Sequence, residues 1–268
     1  MTMNTPRSIA ALLCVGLLSA CGDNAVQKIT TALPGSAIRF YNFGVCGTTP
    51  TATTSCMPSV NFYANDTKMT AISSTTGAES SLGTAYTAVG NNGLYSGITP
   101  GQYTISGRMS AAGADKDVPV SNTPVTIVDG KIYTYYLSGF YDATAKTVDS
   151  FITEDALPAI DFSVSSVRFV NAIGNANPMT LYAKNTTTGT ETAIGAEMAY
   201  KGAGAFVSLA PGTYDLSTRY AGSSTNAISR TAVAFTPAKV YTVTARGDIT
   251  ITSTTAINRP VLDNTANR

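Results

Sequence analysis

The stretch Ile98-Thr99-Pro100-Gly101-Gln102-Tyr103-Thr104-Ile105 returns later as Leu209-Ala210-Pro211-Gly212-Thr213-Tyr214-Asp215-Leu216, with Arg108 and Arg219 at matching places beyond. Proline fixes φ for the first central residue of a turn, and glycine accepts the positive φ that a type II turn needs at the second. A strand is expected after each turn. Tyr103, Ile105 and Met109 share one parity, as do Tyr214, Leu216 and Tyr220, while Thr104, Ser106 and Arg108 face the other way. A turn and strand that occur twice predict a duplicated β domain.

Working outward, three more blocks repeat in the same order. Ala37-Ile38-Arg39-Phe40-Tyr41-Asn42 corresponds to Ser166-Val167-Arg168-Phe169-Val170-Asn171, and Phe62-Tyr63-Ala64 to Leu181-Tyr182-Ala183. After the Pro-Gly strands, Lys131-Ile132-Tyr133-Thr134 corresponds to Lys239-Val240-Tyr241-Thr242. The spacing between partners falls from 129 to 119, 111 and 108 along the chain, which places extra loop residues in the first copy. Between the blocks, Val118, Val120, Val125, Ile127, Tyr135 and Leu137 alternate or cluster as strands, broken by Asn122-Thr123-Pro124 and Asp129-Gly130. Val233, Phe235, Val243, Ile249 and Ile251 do the same in the second copy. No window carries a helical apolar stripe. The expected fold is all-β: two tandem antiparallel β-sandwich domains of immunoglobulin or transthyretin-like type.

Charged residues are only 12% of the chain against 44% hydrophobic, a make-up that suits a Thr-rich exported β protein with a real core. Without residues 1–20 the chain loses one charge, Arg7, and balances at 16 against 16. There is no electrostatic footprint for nucleic acid. Histidine and tryptophan are absent, and with histidine goes the commonest general base and metal ligand.

Met1 to Ala20 holds Arg7 and then the apolar run Ile9 to Leu18, the length of an export signal's hydrophobic region and too short to span a bilayer. Leu18-Ser19-Ala20-Cys21-Gly22 resembles the lipobox of bacterial lipoproteins. That resemblance implies cleavage before Cys21, a diacylglyceryl thioether on its sulfur, and an acyl group such as palmitate on the new amino terminus. Two or more chains give lasting attachment. Gly22 in place of an aspartate favours the cell outer membrane, and residues 21–35 form a lipid-anchored tether reaching at most about 45 Å. Cys46 and Cys56 flank the extra loop of copy one, and in an oxidising compartment they are expected to close it as a disulfide.

The domain plan is a signal peptide over 1–20, the tether over 21–35, a first β-sandwich repeat over 36–155 and a linker over 156–165. A second repeat over 166–258 and a polar, frayed tail over 259–268 complete it. The blocks Val167-Arg168-Phe169-Val170-Asn171-Ala172, Leu181-Tyr182-Ala183, Leu209 to Tyr214 and Lys239-Val240-Tyr241-Thr242 resemble the bacterial domain of unknown function 4397. Pro237-Ala238 stands where that family has a glycine. The resemblance implies an exported sandwich, often duplicated and often lipid-anchored, and supplies no catalytic residues.

Little in the sequence points to chemistry. Asp115 and Asp117 flank Lys116 at a turn, Glu154 and Asp155 are neighbours that a strand sends to opposite faces, and Glu191 and Glu197 have no partner base. Without histidine a Ser-His dyad cannot form, and no phosphate loop, calcium loop or CxxC pair is present. Arg39/Arg168 and Arg108/Arg219 either bind an anion or, as arginines more often do, cover apolar surface and pair locally. Asn42 and Asn171 read as Asx-turns or bulges, and Tyr63/Tyr182, Tyr103/Tyr214 and Tyr133/Tyr241 as packing residues. The expectation is a non-enzymatic, lipid-anchored envelope protein without cofactor or metal, displaying loops to an envelope protein or glycan. A carbohydrate-binding or adhesion module is the alternative, and an envelope hydrolase ranks behind it.

Overall fold

The computed structural model describes residues 35–46, 57–70, 83–110 and 114–268. The export signal, Cys21, the tether up to residue 34 and Cys56 lie outside the described residues. In the first repeat the strands are β1 (Ala37–Asn42), β2 (Val45–Cys46), β3 (Val60–Ala64), β4 (Thr67–Lys68), β5 (Ser96–Gly97), β6 (Gly101–Met109), β7 (Pro119–Ile127), β8 (Ile132–Asp142) and β9 (Thr147–Glu154). The second has β10 (Ser165–Asn171), β11 (Met179–Asn185), β12 (Glu191–Met198), β13 (Val207–Leu209), β14 (Gly212–Tyr220), β15 (Ile228–Phe235), β16 (Val240–Arg246) and β17 (Val261–Ala266). Among the described residues the only helical element is a 3-10 turn at Gly90–Gly93.

Each repeat stacks an outer sheet on an inner one, with the same strand order in both. The outer sheets run β4-β3-β6-β7 and β12-β11-β14-β15. The inner sheets run β5-β1-β8-β9 and β13-β10-β16-β17, with β2 extending the line of β1 along β8. An all-β sandwich follows from the alternation, but it is not wholly antiparallel. At the centre of each inner sheet the first strand of the repeat lies parallel to a strand late in it: Arg39 sits opposite Thr134 in β1–β8, and Arg168 opposite Thr242 in β10–β16. A parallel pair needs a long crossover, supplied here by the intervening strands that cross between sheets.

The Pro-Gly turns join the layers, since β5 and β13 belong to inner sheets while β6 and β14 belong to outer ones. They are not type II. Gly101 sits at φ 155, nearly extended, and Gly212 has no positive φ, where a type II turn needs about +80. What each motif fixes is its tyrosine. The Tyr103 hydroxyl donates to Thr99 O at 3.0 Å and that of Tyr214 to Ala210 O at 2.7 Å, each folding its ring back over the glycine. This is the logic of a tyrosine corner, in which a ring bridges a strand to the backbone just upstream.

Each sandwich has its own core. Ile38, Phe40, Phe62, Ile105, Tyr135 and Leu137 fill the first, where Phe40 stacks on Phe62 at 4.8 Å. Val167, Phe169, Leu181, Leu216, Phe235 and Val243 fill the second. A third core lies between the repeats, built from Tyr41, Phe43, Tyr136 and Phe151 of copy one and Val170 and Ala172 of copy two. The inner sheets are therefore buried on both faces. All of β10 and β16, and nearly all of β1, is buried, and residues 34–268 form one compact unit.

Two expectations fail at the far end of the chain. Residues 259–268 are not a frayed tail: β17 pairs with β16 from Tyr241–Ala266 to Arg246–Val261, and Leu262 is fully buried in the second core. Ile249 and Ile251 are not in a strand but in the β16–β17 connection, where Ile251 is nonetheless buried.

Candidate functional site at the junction of the repeats

The residues that recur between copies converge where the two inner sheets meet. Arg39 and Arg168 do not lie on a solvated face. They are 0% and 2% exposed and point away from their own sandwich cores toward the other repeat. Each donates Nε to the threonine across the parallel pair, Thr134 Oγ1 and Thr242 Oγ1, both at 3.0 Å. Each then reaches the opposite inner sheet's last strand: Arg39 NH1 donates to Ala266 O at 3.2 Å and Arg168 NH1 to Glu154 O at 2.9 Å. Each stacks on an aromatic ring at the same place, Tyr95 at 4.7 Å and Phe206 at 4.9 Å. The pairing is that of a local twofold axis.

One carboxylate serves both guanidiniums. Asp155, 2% exposed, pairs with Arg168 NH2 and lies 3.9 Å from Arg39 NH2. It also accepts from Thr134 Oγ1 and Tyr95 OH, both at 2.5 Å. Asn267 holds the equivalent position in copy two, since Asp155 N donates to Ile132 O and Asn267 N to Val240 O, each at 2.7 Å. The Asn267 amide donates to Tyr95 OH at 3.0 Å, and its oxygen accepts from Thr242 Oγ1 at 2.8 Å. Burial works against the charged Arg39, but Tyr41, Tyr95, Tyr136 and Asp155 outweigh it and hold its pKa above the ordinary value. Burial pushes the Tyr95 phenol well up, helped by the adjacent Asp155 charge.

A second pair of equivalent contacts closes the other end of the junction. Thr87 and Lys201, both at positive φ near 69, bond back to Asn42 O and Asn171 O, and so align Tyr86 with Tyr200. The Tyr200 hydroxyl bonds Ser138 Oγ at 2.8 Å, and Arg246 lies 5.7 Å from the Tyr86 ring. Asn42 and Asn171 are buried clamps, donating to Thr84 O at 2.9 Å and Met198 O at 3.1 Å. Asn171 also accepts from Ile173 N in the expected Asx-turn.

The other repeated pair stays outside. Arg108 covers Tyr63 at 4.3 Å and Arg219 covers Tyr182 at 4.5 Å on the outer sheets. Arg108 then bonds Asn65 O and Asp66, whereas Arg219 forks onto both oxygens of Glu191 at 2.7 Å. The Arg219 guanidinium holds the Glu191 carboxyl below its usual range. Asp115 pairs with Lys146, Asp117 with Lys116, and Glu154 with Lys131, while Glu197 is exposed on β12. Cys46 is buried at the end of β2. Among the described residues no three His, Cys, Asp or Glu side chains come together as a metal site. An open hollow of about 760 Å³ lies beside the inter-repeat connection, lined by Pro158 to Val164, Ser166 and Ser208.

With this geometry in view, the family match falls on the second half. Residues 165–268 match the family model described as "Domain of unknown function (DUF4397)". The match runs to the last residue, in keeping with β17 as an integral strand of the DUF4397 domain. The first repeat has the same strand order around Arg39 and Thr134 as the DUF4397 domain has around Arg168 and Thr242. No curated protein matches the chain. Among solved structures, a leucine-rich repeat protein from Bacteroides thetaiotaomicron VPI-5482 aligns with 14% identity and a TM-score of 0.19. That alignment spans 77% of this chain and 25% of the other, too slight a likeness to carry an argument.

Sequence reading missed Asp155 as the hub, with Tyr95, Phe206 and Asn267. The signal was present in the threonines of the two Tyr-Thr blocks, which stand across from the two arginines once the strands are parallel.

Proposed function

We propose that the chain is a non-catalytic, lipid-anchored protein of the bacterial cell envelope, in which two fused sandwiches form one stiff body that presents its end loops to an envelope partner. The lipobox-like Leu18-Ser19-Ala20-Cys21-Gly22 supports export, acylation at Cys21 and an outer-membrane address. Pairing of Cys46 with Cys56 belongs to the same reading, as an exported chain's staple on the extra loop of the first repeat. The observation that carries the non-catalytic part is the use made of the recurring polar residues. Arg39 and Arg168 are buried and bonded across the junction, to Ala266 O and to Asp155, while Asn42 and Asn171 are buried clamps within their own repeats, and this use supports a structural role over a substrate-binding one. Of the tyrosines that a carbohydrate platform could use, Tyr41, Tyr135 and Tyr136 are buried and Tyr63 and Tyr182 are roofed by arginine, which leaves half-buried ones such as Tyr103, Tyr141 and Tyr220.

Intact mass and membrane fractionation of wild type and C21S test the anchor. The expected result is a triacylated chain starting at Cys21 that leaves the membrane fraction in C21S; an unchanged mass and fraction in C21S would overturn it. Protease shaving of whole cells then separates surface display from a periplasm-facing role.

A further inference from the structure

β1 and β10 run in the same direction, because Arg39 and Arg168 in mid-strand share Asp155 while Phe43 and Ala172 just beyond the strand ends share the third core. The end of the body where they start therefore collects the β7–β8 turn, the β15–β16 turn, both Pro-Gly turns and the inter-repeat connection. Gly35, the first described residue after the tether, lies there against Asp129 and Gly130. The same end holds Phe162 at 81% exposure, Ile160 at 56% and Val128 at 46%, three of the five large hydrophobics left exposed among the described residues.

Phe162 is held out, not merely loose. Pro158 O accepts from Arg268 NH2 at 2.7 Å, and Val164 O accepts from Ala238 N at 2.9 Å, so both ends of the segment are pinned. Between them Asp161 turns back to accept from Ser163 N at 2.8 Å and Ser163 Oγ at 2.6 Å. That turn keeps the carboxylate on its own backbone while the flanking Ile160 and Phe162 project outward.

We propose that the Ile160–Phe162 tip is a membrane-insertion point that enters the interfacial layer of the phospholipid bilayer carrying the anchor. The orientation rests on the lipid-anchor reading above. A chain from Cys21 to Gly35 reaches no more than about 45 Å, so the loops sharing an end with Gly35 are held nearest the acyl chains. Aromatic and aliphatic side chains on a rigid loop partition into the boundary between headgroups and acyl chains, to a depth of about 5–10 Å. At this end Lys131 pairs with Glu154 at 2.7 Å, and the insertion is an apolar one through Ile160 and Phe162.

The chain has no tryptophan, so F162W makes a single-site reporter in the full-length protein, and F140W, at the opposite end, makes the control. Both are placed in phosphatidylcholine vesicles brominated in the upper acyl chain, and intact mass reports acylation separately. The expected result is a blue-shifted, quenched emission for F162W and neither change for F140W. Equal, unquenched emission from the two variants in acylated protein would overturn the insertion point while leaving the anchor standing. If the mass shows no acylation, the anchor reading fails alone. Quenching of F162W on added vesicles would then still support insertion, and its absence would overturn it. Emission that shifts with protein concentration and not with bromination would also overturn it, in favour of a protein contact.

Discussion

Replacing Asp155 with alanine removes the one carboxylate at a junction that buries two guanidiniums. Its oxygens take Arg168 NH2, Thr134 Oγ1 and Tyr95 OH, and its charge lies 3.9 Å from Arg39 NH2. Breaking a buried ion pair from one side costs about 3–5 kcal/mol, because the surviving charge stays buried without its partner. Each orphaned neutral donor would add about 1–3 kcal/mol if it could not turn to another acceptor. These terms overlap, so the expected loss is about 4 kcal/mol. Urea unfolding followed by far-UV circular dichroism reads it as a fall in midpoint of roughly 1 M or more, given slopes of about 1–3 kcal/mol/M. D155N, which keeps an acceptor but not the charge, should fall between D155A and wild type. Replacing all three members at once, R39M/D155L/R168M, should recover most of the loss, since apolar substitutes for a buried cluster are often neutral. A D155A protein within about 1 kcal/mol of wild type would refute the claim that Asp155 holds the repeats together.

Y214F should lose about 1 kcal/mol by deleting the donor to Ala210 O at 2.7 Å, measured by the same unfolding curves. Glu191 has its pKa depressed by Arg219, so its contribution is present above the unfolded carboxylate range and is lost as pH falls through the folded value. The pair is partly exposed, so E191Q should cost no more than about 1 kcal/mol at pH 7 and should reduce the stability lost between pH 5 and pH 3. C46S/C56S should lower stability by roughly 2–3 kcal/mol in the chain-entropy model, with no further loss on adding reductant, whereas reductant should destabilise the wild type.

The β character was legible because most strands announce themselves by parity. The central parallel pair was not, since parity says which face a residue takes and nothing about which strand lies beside it. The arginines were misplaced for a related reason. Ile38-Arg39-Phe40 looks like an apolar face alternating with a solvated one, yet Tyr41 and Phe43 continue the parity of Arg39 and are 2% and 1% exposed. An apolar residue on both parities is the mark of a strand buried on both faces, and that mark was there to read. β17 was hidden by composition: Val261 to Ala266 offers two large apolar residues, enough for an edge strand that buries mainly Leu262.

The two copies differ where they must cooperate. Copy one supplies Asp155 and Tyr95, and copy two places Asn267 and Phe206 at the same positions. The result is a single directed chain of hydrogen bonds from Thr242 to Asn267, from Asn267 to Tyr95, and from Tyr95 to Asp155. Aspartate at both positions would bury two carboxylates close together, since the two positions lie 2.5 Å and 3.0 Å from one phenol oxygen. Asparagine at both would bury two guanidiniums with no anion. A pairing of copy one with another copy one meets the first fault, and copy two with copy two meets the second. Buried ion pairs contribute little net stability but can fix which surfaces pair. Here the asymmetry favours joining a first repeat to a second over pairing either repeat with its own kind.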